Sequence, residues 1–224
     1  MEGIMKLEEA KIKLRQIENI PLRVFINEDD FADIIRAKGR TGQLLELAIG
    51  LNNGGGRLDF EDGELKTNKC DRNGNPKETV FITQISGMID DLITGKPFYE
   101  SIVYQKIKNL LYVPICKDSQ DPREWYFMPN IHANFEDEQF IEIITQIKHD
   151  YELICSDIVR LLNASPTSFI HTSGGEYIQI RTKDGIPYNP IYSNVYNRYI
   201  SNKNYAFYFK KRFVYALKEA GRRI

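Results

Sequence analysis

Residues Arg57 to Thr67 read RLDFEDGELKT, two short β-type runs (Arg57–Glu61 and Glu64–Thr67) on either side of Asp62-Gly63. A two-residue type I′ turn needs positive φ at both central positions, and Asp-Gly supplies it, so the run predicts a tight hairpin. With that turn, Glu61 pairs with Glu64, Phe60 with Leu65 and Asp59 with Lys66. Neighbours along a strand alternate between faces, and cross-strand partners share one. Asp59, Glu61, Glu64 and Lys66 are thus expected on one face, with Phe60 and Leu65 turned into the core. Like charges facing each other destabilise a sheet. Three carboxylates beside one ammonium therefore read either as a solvated rim or as oxygen ligands for a hard cation. Mg²⁺ binds through one or two carboxylates plus substrate phosphate and keeps several waters. A lysine beside it steadies phosphate charge, which outlines metal-assisted phosphodiester hydrolysis.

Outward from this hairpin the chain reads as alternating helices and strands. Upstream, Met5 to Ile17 carries an apolar stripe of Leu7, Ala10, Leu14 and Ile17, the spacing of one helix face. Asn27 followed by acids predicts a second helix to about Arg36. Lys38 to Gly42 reads as a turn, with Thr41 capping a helix over Gln43 to Leu51 and Asn52 to Gly56 breaking it. Glu46 stands out there as an acid between Leu45 and Leu47, costly unless exposed or partnered. Downstream, Asn73-Gly74-Asn75-Pro76 is a turn. Thr79–Ile85, Asn109–Ile115, Trp125–Met128, Tyr177–Arg181 and Tyr205–Phe209 read as strands, and Glu138–Leu162 and Phe213–Gly221 as helices. The last of these helices is expected to use Phe213, Tyr215 and Leu217 as core. No repeat or long linker is visible. The order predicts an α/β domain, a mixed sheet flanked by helices.

Composition removes several classes of function. With 224 residues, 42% of them hydrophobic, the chain is long enough to bury a sizeable core. No apolar run approaches the roughly 20 residues of a membrane span, and Met1 to Arg15 is too charged for a secretory signal. Cys70, Cys116 and Cys155 are odd in number and far apart, which excludes a disulfide framework or thiolate zinc site and fits a reducing cytoplasm. His132, His149 and His171 have no metal-ligand spacing, and His171 reads as a loop histidine. The net charge of −1 hides a polarised chain. Arg198 to Ile224 holds eight cations against one acid, and His132 to Asp157 seven acids against one lysine. Such polarity fits either a phosphate-rich partner or two solvated helix faces. Lys210, Lys211 and Arg212 follow Tyr205, Phe207, Tyr208 and Phe209, mixing phosphate-binding charge with aromatics.

A Glu on a helix, then Asp, then Glu-x-Lys on a hairpin resembles the PD-(D/E)XK nuclease core. The likeness becomes closer in KGRTGQLLELAIGLNNGGGRLDF (Lys38–Phe60) and GELKT (Gly63–Thr67), then in Glu78–Phe81, Gln105–Pro114, Gly175–Lys183 and Phe207–Lys211. These blocks, in this order, resemble the MutH-type mismatch-repair endonucleases and the related GATC-cutting restriction enzymes. The resemblance implies a restriction-endonuclease-like fold and a single nuclease domain of two lobes forming a DNA cleft, catalytic over about 1–115 and DNA-reading over about 116–224. It implies Mg²⁺ held by Asp59, Glu64 and the Leu65 backbone carbonyl, Glu46 as a supporting acid and Lys66 as the catalytic lysine. Lys106 or Lys108 matches a further lysine near the scissile phosphate, and Lys38 the lysine opening the first block. Glu78 and Phe81 match a loop that approaches bases. Arg181, Lys183 and Tyr208 match groove-reading and methylation-sensing positions. Lys210 and Lys211 are expected on phosphates.

Two departures from the family are visible. The chain between Asp59 and Glu64 is shorter than in the repair enzymes, and Thr182 stands where the family has proline. The implied activity is Mg²⁺-dependent cutting of double-stranded DNA at a GATC-like site, as a type II restriction enzyme, with a homodimer on a palindromic site as one arrangement. The alternatives are a mismatch-repair nickase, which depends on a partner ATPase, and a non-catalytic DNA-binding module. Retention of Glu46, Asp59, Glu64 and Lys66 argues against the module.

Overall fold

The computed structural model describes the chain except residues 1–4, 28, 30, 32–40, 52–57, 184, 186–187 and 222–224. The helix expected after Asn27, the Lys38 to Arg40 turn, Asn52–Gly56 and Arg57 therefore lie wholly or largely outside the described residues.

Residues cluster into two compact units that are interleaved along the chain. One comprises Met1–Thr79, Lys108–Asn134 and Leu217–Ile224, the other Val80–Ile107 and Phe135–Ala216. The sequence had suggested a single division near residue 115. The interleaving has a topological cause. Strands β1 (Glu64–Cys70) and β3 (Asn109–Cys116) pair in parallel, from Glu64 opposite Leu110 to Cys70 opposite Cys116. Parallel neighbours need a long crossover, and the crossover residues Val80–Ile107 belong to the second unit.

In the first unit, β4 (Tyr126–Phe127) and β5 (Ile131–Asn134) pair antiparallel with successive parts of β3. Pro114 falls between the two ladders, where its missing N–H costs no strand pairing. Helices α1 (Leu7–Ile17) and α2 (Thr41–Ala48) bury Leu7, Ala10, Leu14, Leu44 and Leu45 in one core with Phe60, Leu65, Leu111, Val113 and Phe127. The apolar stripe expected on the first helix is the face that packs.

The expected hairpin does not form. Residues 58–62 are bends rather than strand, and Gly63 is not among the positive-φ glycines. Asp62 and Gly63 serve tertiary contacts instead. The Asp62 carboxylate accepts the Leu7 N–H at 2.9 Å, at the start of α1. A Cβ on Gly63 would lie 2.8 Å from the Asn109 carbonyl oxygen and 2.9 Å from Leu7 Cδ1. Phe60 still donates to the Gly63 carbonyl at 2.9 Å, which closes a tight loop. The expected burial of Phe60 and Leu65 stands, but the cross-strand pairs do not.

In the second unit the sheet order is β2 (Val80–Gln84), β10 (Tyr205–Phe209), β7 (Ile178–Thr182), β6 (Ser173–Gly174), all antiparallel. Helix α5 (Ile141–Ala164) covers one face with Ile147, Tyr151, Ile154 and Ile158, and the Tyr151 ring stacks on Phe207. Short helices α3 (Ile89–Ile93) and α4 (Ile102–Ile107) occupy the crossover. A ribbon of β8 (Ile191–Ser193) and β9 (Arg198–Ser201) turns through Asn197 at φ +50. Asp90 on α3 pins this ribbon, accepting from the Ser193 hydroxyl and from the backbone and side chain of Asn194. The last helix, α6 (Lys211–Gly221), is divided between the units at Leu217 and buries Phe213, Val214, Leu217 and Ala220. Tyr215, expected in the core, is 48% exposed, because the 3.6-residue period set by Phe213 and Leu217 turns it outward.

Candidate active site and nucleic-acid interface

The first constellation is carried by β1. Glu64, Lys66 and Asn68 alternate with Leu65 and Thr67, so the polar three share the face opposite Leu65. Glu64 is buried, with only 2% of its surface exposed. Lys66 Nζ lies 2.5 Å from Glu64 Oε1, and the side chains are 13% and 3% exposed. Burying charge is costly unless it is paired and hydrogen-bonded, and this pair meets that condition at close range. Asp59 approaches from the preceding bend, where its Oδ2 accepts the Leu65 N–H at 2.9 Å. Asp59 and Glu64 thus flank Leu65 through a side chain-to-backbone bond, not through the expected cross-strand pairing. Glu61, expected on the same face, is exposed on the bend, with its N–H on the Met5 carbonyl. Glu46 is half-buried on α2, its Oε1 3.9 Å from where a Gly42 Cβ would lie.

Among the described residues no three His, Cys, Asp or Glu side chains form a metal-holding group. Mg²⁺ asks for less, one or two carboxylates completed by carbonyl, water and phosphate oxygens. Asp59, Glu64 and the Leu65 carbonyl are hard oxygen donors around one residue, and they fit that requirement.

Behind the pair lies a buried polar relay that sequence reasoning missed. The Tyr112 hydroxyl donates to Asn68 Oδ1, and Asn68 Nδ2 donates to the Glu78 carbonyl at 3.1 Å. Tyr112 is 1% exposed, and burial pushes its hydroxyl pKa far up, so it stays a donor. Glu78, expected near bases, uses Oε1 to accept the Lys69 N–H at 2.9 Å. Lys117 follows β3. Its Nζ donates to the Thr41 hydroxyl at the start of α2 and sits 4.3 Å from the Trp125 ring centre. Burial pulls the Lys117 pKa below its usual value. The Lys-Trp contact is the signal the sequence did not reveal, since the partners come from separate loops. Lys108 is exposed just before β3, and Lys106 is half-buried on α4 in the other unit. Lys38 lies outside the described residues.

The second constellation lies on the face of the second unit's sheet opposite Ile178 and Ile180. Tyr208 pairs with Phe81 across β10 and β2, their rings edge-to-face with centroids 5.7 Å apart. The Arg181 guanidinium lies 4.3 Å from the Tyr208 ring centre, and Lys183 Nζ 4.0 Å from that of Phe81. Four residues from three separate sequence blocks thus form one cation–aromatic cluster. Partial burial lowers the Lys183 pKa.

The hairpin that presents this cluster is clamped from α5. Asp150 is fully buried and accepts the N–H groups of Glu176, Tyr177 and Ile178 at 2.5–3.0 Å, plus the Gln146 side chain. A Cβ on Gly175 would overlap Asp150 at 1.9 Å, so only glycine fits there. Asp157 accepts the Ser173 hydroxyl at 2.7 Å; that bond, with Arg160, holds its carboxyl below the usual range. Two acids of the acidic middle are therefore structural clamps. Lys210 belongs to the same clamp, because its Nζ donates to the Gly175 carbonyl at 2.7 Å. Lys211 is exposed, and Arg212 pairs with Glu176 at 3.0 Å. His171 is exposed, and all three cysteines are free and buried. No helix among the described residues is long and apolar enough to cross a membrane.

The fold and these two constellations define a mixed α/β protein with a buried carboxylate–lysine site on one sheet and a cation–aromatic face on another. A family model described as DNA mismatch repair enzyme MutH matches residues 53–145. A protein of Shewanella woodyi named DNA mismatch repair protein MutH is 30% identical over 157 residues, covering 68% of this chain and 63% of its own. The protein of that name from Buchnera aphidicola subsp. Baizongia pistaciae is 29% identical over 194 residues, 82% of each chain. One from Actinobacillus pleuropneumoniae is 29% identical over 164 residues, 70% of this chain and 67% of its own. These matches make the chain similar to the MutH family. The match spans somewhat less than two thirds of the Shewanella woodyi relative. The relatives carry a repair name, which favours the repair alternative over the restriction enzyme expected first.

Proposed function

We propose that this protein is a Mg²⁺-dependent endonuclease that nicks double-stranded DNA at a GATC-like site in mismatch repair. The carrying observation is the buried Glu64–Lys66 pair on β1, with Asp59 tied to the intervening Leu65. Its charge arrangement suits phosphodiester hydrolysis, in which water's oxygen bonds to phosphorus, one bridging P–O bond breaks, and the departing oxygen takes up a proton. Asp59, Glu64 and the Leu65 carbonyl would hold Mg²⁺, which when bound supplies a Lewis acid for the phosphoryl oxygens and an acidified water. The Lys66 ammonium, oriented by Glu64, offers positive charge where the phosphate gains negative charge in the transition state. Glu46 supports the site from α2, and Lys108, in the same unit, adds charge near the phosphate. Arg181, Lys183, Tyr208 and Phe81 would read the duplex, and Lys211 is the better placed phosphate contact of the Lys210–Lys211 pair.

The test uses supercoiled plasmid with and without adenine methylation, Mg²⁺, and the purified protein alone or with the repair system's partner ATPase. Nicked circles that depend on the partner and on unmethylated sites support the proposal, and Asp59→Ala or Glu64→Ala should abolish them while DNA binding persists. Linear products from the protein alone would instead identify a restriction enzyme. Binding without any cutting, partner included, would reduce the chain to a DNA-binding module.

A further inference from the structure

Strand β7 sends Ile178 and Ile180 into the core and Gln179 and Arg181 to the other face. Gln179 stands directly opposite Tyr208 on β10, and Tyr208 opposite Phe81 on β2, so the three form one row across the sheet. Arg181 stands opposite Ala206, whose small side chain leaves the guanidinium free to lean over the Tyr208 ring. On the other flank Gln179 faces Gly174 of β6, where a Cβ would lie 2.5 Å from the Gln179 Cβ. Gln179 is half-buried, and among the described residues its side chain makes no hydrogen bond with the protein. A side-chain amide has two donor hydrogens and an oxygen with two lone pairs, and those of Gln179 are left for a partner from outside the chain. Its neighbours in the row, by contrast, are all engaged with each other.

We infer that Gln179 is a specificity-determining residue that reads the major-groove edge of an adenine in the target site. Adenine offers there the N7 acceptor beside the N6 amino donor, which matches the donor and acceptor of one glutamine amide. Arg181 and Lys183, two and four residues on, carry only donors and suit guanine O6 and N7 or phosphate. Gln179 is thus the one group in the row Gln179–Tyr208–Phe81 whose amide can answer both adenine atoms. The inference rests on the proposed DNA-cutting function and deepens it at the level of base readout.

Binding is measured on a short GATC duplex, a scrambled duplex, and the GATC duplex with 7-deazaadenine replacing adenine, with Ca²⁺ in place of Mg²⁺. The wild type is expected to prefer GATC and to lose about 5- to 150-fold on the 7-deaza duplex, the range a bidentate base contact commands. Gln179→Leu keeps the shape without the amide. It should lose a similar factor on GATC, little on the scrambled duplex, and be nearly indifferent to 7-deazaadenine. Equal loss on both natural duplexes, or undiminished sensitivity of the variant to 7-deazaadenine, would overturn the assignment. A wild type that binds GATC and scrambled DNA alike would overturn the GATC-site reading itself, and this inference with it. The 7-deaza arm needs no variant, so it decides the matter even if Gln179→Leu folds poorly.

Discussion

Replacing Lys66 with Met would leave the Glu64 carboxylate buried without its ammonium. The pair is 2.5 Å apart and its side chains are 3% and 13% exposed, so solvent screening does little to soften the loss. Removing one partner of a buried ion pair costs about 3–5 kcal/mol, because the remaining charge is left uncompensated. Glu64 keeps further contacts, which places the expected loss at the low end, about 3 kcal/mol. For a chain of this size that lowers Tm by roughly 6–12 °C. The double variant Glu64→Met/Lys66→Met removes both charges and should recover most of the loss, since apolar replacement of a buried pair is often neutral. The assay is thermal unfolding of wild type, single and double variants at pH 8. A single variant that unfolds within about 2 °C of wild type at pH 8, or a double variant no more stable than the single one, would refute a buried, mutually dependent pair.

Gly63→Ala should destabilise by about 1–3 kcal/mol by overpacking, since its Cβ would press on the Asn109 carbonyl oxygen; unchanged chemical denaturation would show that the loop yields freely. Asp150→Ala should strip the partners from the Glu176, Tyr177 and Ile178 N–H groups, at about 1–3 kcal/mol for each one left buried and unsatisfied. Hydrogen exchange at those amides should rise well above that in β1, and equal protection in wild type and variant would discount the clamp. Because the Lys183 pKa lies below its ordinary 10.5, its charge disappears at lower pH than that of an exposed lysine. Site-specific binding should therefore weaken early on the alkaline side, and Lys183→Arg should remove that early loss; identical pH profiles would separate Lys183 from readout. Lys211→Ala should flatten the salt dependence of DNA binding by nearly one unit of slope, whereas Lys210→Ala should lower Tm and leave the slope almost unchanged.

Local periodicity determined much of this protein. The stripe Leu7, Ala10, Leu14, Ile17 marks α1, the run Asn109–Ile115 marks a strand buried on both faces, and Tyr205–Phe209 marks β10. These succeed because a helix or strand interior is governed by its own side chains. The residues of both constellations were legible as well, since Glu64 and Lys66 two apart on a strand must share a face wherever that strand goes. The hairpin was not. Asp62-Gly63 carries the local chemistry of a turn, but the aspartate accepts the first N–H of α1 and the glycine admits the Asn109 backbone, contacts made 46 to 55 residues away in sequence. Local propensity is worth about 1 kcal/mol per residue, and packing against distant elements outweighs it. Tertiary structure likewise decided that Lys210 and two acids of the acidic middle clamp one hairpin, and that Arg181, Lys183, Phe81 and Tyr208 meet on one face. Charge and residue type are properties of the chain, but which group a charge finds is set by the pairing of strands far apart in it.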